Sequence, residues 1–221
     1  MKSVFLLLWS FVISFCSCSQ KKSQSPVEKK KNDTEIKVGG SCEGCEAVFE
    51  SSLAFDMLST TDTLPDFNEQ GTKIEISGII YRQDGKTPAN DVVLYIYHTD
   101  QTGIYPKKGD EKGMAKRHGY IRGWIKTDVN GFYKFYTLVP ASYPNSNNPR
   151  HIHPIIKEHG KTEYWIEDFL FDDDPLLPAI EKTKTNARGG NGVLKTEMKD
   201  GMLRAIRNII LGLNIPGYPS E

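Results

Sequence analysis

Residues 72–82 read TKIEISGIIYR, and residues 91–99 read DVVLYIYHT. In the first stretch Ile74, Ile76 and then Ile79/Ile80 alternate around Gly78; in the second, Val92, Leu94 and Ile96 alternate with Val93, Tyr95 and Tyr97. Successive side chains of an extended chain point to opposite faces, so this period of two marks strands. Between them lies QDGKTPAN, dense in residues that form turns.

The same texture continues downstream. GYIRGWIKTDVNGFYKFYTLVP holds two β-rich runs split by Asp128-Val129-Asn130-Gly131, which predicts a hairpin loop whose glycine supplies a positive φ. GVLKTEMKDGMLRAIRNIILGL is compatible with a helix or with a second hairpin turning at Asp200-Gly201, and periodicity does not choose between them. No internal repeat is present. Short strands at regular spacing, with few helical stretches, predict an all-β fold, a sandwich or barrel. The expectation is a β-sandwich of mainly antiparallel strands, with long loops carrying whatever site there is.

The N-terminal end reads as an address followed by a tether. MKSVFLLLWSFVISFCSCS has one Lys, an apolar run from Val4 to Phe15, then small residues and cysteines. That is the pattern of a bacterial secretory signal, too short for a membrane span. Cys18 resembles a lipoprotein acceptor cysteine, although Phe15 and Cys16 precede it where a small and an aliphatic residue are usual; secretion without a lipid is the alternative. Residues 1–18 are therefore expected as a signal or lipoprotein segment. Residues 19–37, polar and Lys-rich, are expected as a solvated tether. Residues 38–221 are long enough for one domain with its own core. The expected location is across the inner membrane, periplasmic or anchored by lipid to the outer membrane.

Charge excludes one class of partner. The 28 basic residues balance 28 acidic ones, and no basic stripe with interleaved aromatics runs through the domain, which argues against nucleic acid. Cys42 and Cys45 form a lone CxxC. Zinc needs four ligands, and a thioredoxin-like redox motif belongs in a βαβ context, so a local disulfide outside the cytoplasm is the favoured reading.

The chemistry-bearing residues sit on loops or strand ends. NPRHIHP, residues 148–154, places His151 and His153 two apart, so that in an extended segment both imidazoles reach one point. Upstream, Tyr105 in GIYPKK and Tyr143 in ASYPNS are each followed by proline, a pairing that is extended or turning. Taken singly, each of these residues has an ordinary packing or surface explanation. His118 and His159 are expected on the surface, and Tyr120, Trp124 and Tyr133 in the core or lining a pocket.

Together, in order, they resemble the intradiol ring-cleavage dioxygenases, the family of the catechol and protocatechuate dioxygenases. The resemblance runs from about Gly78 to Pro175. GKTPANDVVLYIYHTDQTGIY is similar to that family's strand-then-tyrosine segment, and IRGWIKTDVNGFYKFYTLVPASYP to its Arg-Gly, Thr-Asp-x-x-Gly and Pro-x-x-Tyr-Pro segment; NPRHIHP supplies its His-x-His. The resemblance implies that Fe(III) is held by Tyr105, Tyr143, His151 and His153, with Tyr105 and His153 equatorial, and Tyr143 and His151 axial. It implies that Tyr143 leaves the metal, taking up a proton, when a catechol chelates. The implied reaction opens the ring with O₂ between its two hydroxyl-bearing carbons. Phenolates are hard anionic donors that favour Fe(III) over Fe(II), whereas a ferrous facial triad would use two His and one carboxylate.

The chain also departs from the family pattern. Asn148 stands where an Arg is usual, Arg150 directly precedes His151, and Asp168 takes the place of a glutamine. These positions near the ligands are catalytic candidates with Tyr143. Ala141 replaces a usual glycine, and the helical dimerisation segment of catechol-type members is missing; no oligomeric state is assigned. Lysines in PKKGDEKGMAKRHGYIRG would suit an anionic ring substituent, or form a solvated loop. The competing reading is a non-catalytic transthyretin-like or carboxypeptidase-regulatory-like β-sandwich binding module of the cell envelope. Such a module gives no reason for the Tyr, Tyr, His-x-His set.

Overall fold

The structure, a computed structural model, describes residues 35–220. The expected signal segment, Cys18 and all but the last three residues of the expected tether lie outside the described residues.

Two sheets face each other across the core. One has the order β1 (Thr61–Thr63), β5 (Phe132–Leu138), β2 (Lys73–Tyr81), β11 (Met202–Ile206), β10 (Glu197–Lys199), with β12 (Ile209–Ile210) also on β2. The other has β4 (Arg122–Lys126), β3 (Val93–Tyr97), β6 (His151–Lys157), β8 (Phe169–Phe171), β9 (Val193–Leu194), with β7 (Tyr164–Trp165) also on β6. The long pairings β2–β5, β3–β4 and β3–β6 are antiparallel, while β1, β9, β11 and β12 join in parallel. The protein is an all-β sandwich.

Alternation explains β2. Ile74, Ile76 and Ile80 are buried while Lys73, Glu75 and Ile79 lie toward the outside. Gly78 takes an inward position because the Arg207 backbone crosses there: a Cβ would stand 1.8 Å from the Arg207 carbonyl oxygen. β3 alternates two apolar sets, and both are buried. Leu94 and Ile96 enter the main core, and Val93 and Tyr95 pack with Cys45, Ala47, Val48 and Ile155 under a cover of two short 3₁₀ helices, Cys45–Glu50 and Phe55–Met57. Burying both faces is why this strand reads as a nearly continuous apolar run.

Two local expectations need adjustment. Asp128–Gly131 is not a hairpin: β4 and β5 lie in different sheets. Asp128 Oδ1 accepts the Asn130 and Phe132 N–H groups at 2.9 and 3.0 Å, and Gly131, at φ 68°, passes its carbonyl to the Ile80 N–H at 2.8 Å. A turn signal reports a local reversal, while the pairing partner is set by distant strands. The domain also begins earlier than Val38. Ile36 forms an isolated bridge to Lys161, its N–H donating to the Gly160 carbonyl and its carbonyl accepting from the Thr162 N–H, each at 2.9 Å, and Glu35 pairs with Lys157 at 2.7 Å. The C-terminal ambiguity resolves as a hairpin: β10 and β11 pair antiparallel around Asp200 and Gly201, both at positive φ.

Candidate metal centre

The loops carrying the two tyrosines leave the same end of the sandwich and are tied to each other. His98, at the end of β3, lies with Nε2 2.7 Å from Thr137 Oγ1 on β5 and Nδ1 2.7 Å from the Thr99 carbonyl. Thr99 Oγ1 donates to the Ala141 carbonyl at 2.7 Å, and the Ala141 N–H donates to the Asp100 carbonyl at 3.0 Å. Gly103, at φ 78°, lets the first loop pass the second: a Cβ there would stand 2.0 Å from the Ser142 carbonyl oxygen. Asp100 Oδ1 accepts N–H groups from Thr102 and Ile104 and closes the turn that presents Tyr105.

β6 supplies the imidazoles. His151 and His153 share one side of the strand, with Ile152 between them buried in the core. Pro154 sits at the break between the β8 pairing (His151, Ile152) and the β7 pairing (Ile155, Ile156). A proline at such a break leaves both flanking ladders intact.

Four donor atoms meet. Tyr105 Oη is 2.5 Å from Tyr143 Oη and 2.9 Å from His153 Nε2. Tyr143 Oη is 3.2 Å from His153 Nε2 and 3.1 Å from His151 Nε2, and the two Nε2 atoms are 3.0 Å apart. The outer nitrogens settle what faces inward. His151 Nδ1 donates to the Pro149 carbonyl at 2.7 Å, and His153 Nδ1 donates to Asp168 Oδ1 at 2.9 Å. In the neutral rings each Nδ1 then carries the proton, so both Nε2 lone pairs point at one place.

Such a set fits a cation. Two bare imidazole lone pairs this close repel unless something positive lies between them, and each phenol has only one proton to give. Burial, followed by the hydrogen bond with Tyr143, pushes the Tyr105 phenol far above its ordinary value; burial also raises Tyr143. Burial, with His153 beside it, holds His151 below the ordinary histidine value. Without a cation the phenols therefore keep their protons at neutral pH, and binding one as phenolates releases them. Two hard oxygen donors and two imidazoles suit a ferric ion.

His151, His153 and Asp168 also group as two histidines and a carboxylate. The carboxylate, however, lies on Nδ1 of His153, the nitrogen directed away from the meeting point of the four donors. It backs His153 instead of joining the set. Burial works to raise the Asp168 carboxyl, yet the interactions it makes, those with His153 foremost, prevail and hold it below the usual range.

Asn148 and Arg150 are not brought into this group. Asn148 is exposed, its N–H donating to Ser146 Oγ at 3.0 Å. Arg150 turns to the acidic run after β8, pairing with Asp173 at 2.5 Å while its N–H donates to Asp174 Oδ2 at 2.7 Å. Adjacent strand residues face opposite ways, which takes Arg150 off the histidine side. Cys42 and Cys45 are joined in a disulfide at the entry to the first 3₁₀ helix.

His118 is not a surface residue. It ends a short helix α1 (Ala115–His118), is 5% exposed, and its ring lies 3.7 Å from that of Tyr97, with Nδ1 2.9 Å from Tyr95 Oη. The second face of β3 draws it in. Tyr97 also stacks on His153 at 4.7 Å. His98 and Tyr97, which support the centre, had only one signal in the sequence: their place at the end of the strand leading to Tyr105.

Known proteins are similar to this chain in sequence and in fold. The family model described as Dioxygenase matches residues 50–188. Protocatechuate 3,4-dioxygenase beta chain of Burkholderia cepacia is 27% identical over 127 residues, 53% of this chain and 54% of that one. Catechol 1,2-dioxygenase 1 of Acinetobacter lwoffii is 29% identical over 138 residues, 55% and 42% of the two chains. The chain thus spans about half the length of the curated relatives it matches. Among solved structures, an intradiol ring-cleavage dioxygenase from Tetranychus urticae superposes with a TM-score of 0.51 at 19% identity, covering 74% of this chain and 89% of that one. 3-Chlorocatechol 1,2-dioxygenase from Rhodococcus opacus gives 0.50 at 22%, covering 68% and 63%. At these identities the two structures speak for the fold.

Proposed function

We propose, for a chain that belongs to the intradiol ring-cleavage dioxygenase family, that Tyr105, Tyr143, His151 and His153 hold a ferric ion and that the protein opens a catechol-type ring with O₂ between its two hydroxyl-bearing carbons. The observation that carries this is the convergence of four donor atoms from three separate segments, with Tyr143 Oη and His153 Nε2 each within 2.5–3.2 Å of the other three and both histidine tautomers set from behind. When bound, the ferric ion supplies the Lewis acidity and the electron-accepting capacity that make a catecholate ring reactive toward O₂.

The chain's own residues orient, exclude water and handle protons. A catechol brings two hydroxyl protons, and Tyr143 Oη is the atom the reading assigns to receive one. Burial raises the Tyr143 phenol above its ordinary value, which would suit that oxygen to hold a proton. Tyr105 and His153, in mutual contact, both lie against Tyr97, His153 stacked on its ring and Tyr105 tilted to it, and form the steadier side of the set. The N-terminal sequence supports export and attachment through a lipid on Cys18.

The test is an absorption spectrum with a metal assay on the purified domain. One iron per chain and a visible tyrosinate-to-iron charge-transfer band are expected. Protein that stays colourless after ferric loading, and is equally stable with and without the metal, sinks the proposal.

A further inference from the structure

We infer that Asp168 is a positioning residue that balances the charge of the metal centre through His153, which makes this centre less acidic than one whose histidines are both backed by neutral groups. The inference rests on the ferric reading above.

The two imidazoles are held differently. His151 has a neutral carbonyl behind it, Pro149 O at 2.7 Å; His153 has the carboxylate of Asp168 at 2.9 Å. Asp168 makes its direct side-chain contact with His153, while the buried Arg207 guanidinium acts on the carboxylate by charge without a direct contact and is the same whether residue 168 is charged or neutral. A carboxylate accepting from Nδ1–H pulls that proton toward itself and enriches the ring, so Nε2 becomes the stronger donor. Charge adds to this effect. A trivalent ion, two phenolates and one carboxylate sum to zero, whereas the same centre backed by a neutral amide carries one excess positive charge.

The carboxylate is placed by the backbone around it. Gly192 passes so close that a Cβ there would stand 1.9 Å from the Asp168 carbonyl oxygen, and the Leu170 N–H donates to the Gly192 carbonyl at 3.0 Å. Arg207, 4% exposed, donates to the Glu167 carbonyl at 2.7 Å and lies 4.5 Å from the Phe169 ring. The residues on both sides of Asp168 are thereby fixed, and its side chain is left to the histidine.

Two variants separate charge from orientation. In Asp168→Asn the amide oxygen still accepts from Nδ1–H, so the tautomer is kept and only the charge is lost; in Asp168→Ala both are lost. After ferric loading, Asp168→Asn is expected to hold iron in the same stoichiometry with its charge-transfer band at longer wavelength, because a less compensated ferric ion accepts phenolate charge at lower energy. Asp168→Ala is expected to bind iron roughly 10- to 100-fold more weakly, the range for losing a group that orients a ligand. A coloured parent whose band does not move in Asp168→Asn overturns this inference alone. A colourless parent overturns the ferric site and this inference with it.

Discussion

The ring of His118 lies against that of Tyr97, centroids 3.7 Å apart and planes within 7°, and the Tyr97 ring is in turn 4.7 Å from that of His153. A residue on a short helix thus supports the centre through one aromatic neighbour. Tyr97→Leu removes the flat surface against His153 and should weaken iron binding about tenfold, as supports of this kind do. Tyr97→Phe keeps the ring and should bind as the parent does. Iron titration followed by the visible band compares them; equal losses in both variants would point to the hydroxyl instead.

Tyr105→Phe and Tyr143→Phe keep ring packing and remove one oxygen each. Tyr105→Phe should bleach the charge-transfer band and lower iron content, since an anionic donor to Fe(III) is gone. Tyr143→Phe should shift the band, retain more iron and bind catechols while turning over slowly. If both variants keep the parent's iron and spectrum, the ligand assignment is wrong.

His98 gives the apo protein an acid-sensitive core. An unfolded chain protonates it near about 6.5, whereas burial lowers its folded value to about 4. Between those values the unfolded state binds more protons, so stability falls as pH drops through the window, by on the order of 3 kcal/mol at most. Urea midpoints of metal-free protein at pH 6.5 and 4 should show the loss, and His98→Gln should lessen it. An identical pH slope in the variant would place the sensitivity elsewhere.

Glu50 secures the segment that follows Tyr105. Its carboxylate accepts the Met114 N–H at 2.6 Å and pairs with Arg122 at 2.6 Å, both groups largely shielded. Glu50→Ala should cost about 1–3 kcal/mol by leaving Arg122 without its partner, and should open residues 107–113 to limited proteolysis. Unchanged cleavage kinetics would show that the segment is held by other contacts.

Cys18→Ala tests the address. If Cys18 carries a lipid, the variant should move from the membrane to the soluble fraction. Partitioning that does not change, or an intact signal segment on the mature chain, counts against the anchor.

Strands, their inward residues and the His-x-His geometry were legible in the sequence because each depends on a period of two along a few neighbouring residues. Ile74, Ile76 and Ile80 declare a buried face, and His151 and His153 must share a side wherever β6 is placed. The same local rule takes Arg150 off that side, although the family resemblance had made it a candidate. Tertiary structure alone decided which strands pair. Asp128–Gly131 reads as a hairpin yet joins two sheets, since a turn's chemistry specifies a reversal and not a partner. It alone brought Tyr105 within 2.5 Å of Tyr143, through contacts between loops 38 residues apart. It alone put a carboxylate behind His153 and buried His118 against Tyr97. Those contacts arise where distant segments are pressed together by the core, and no periodicity in the chain encodes them.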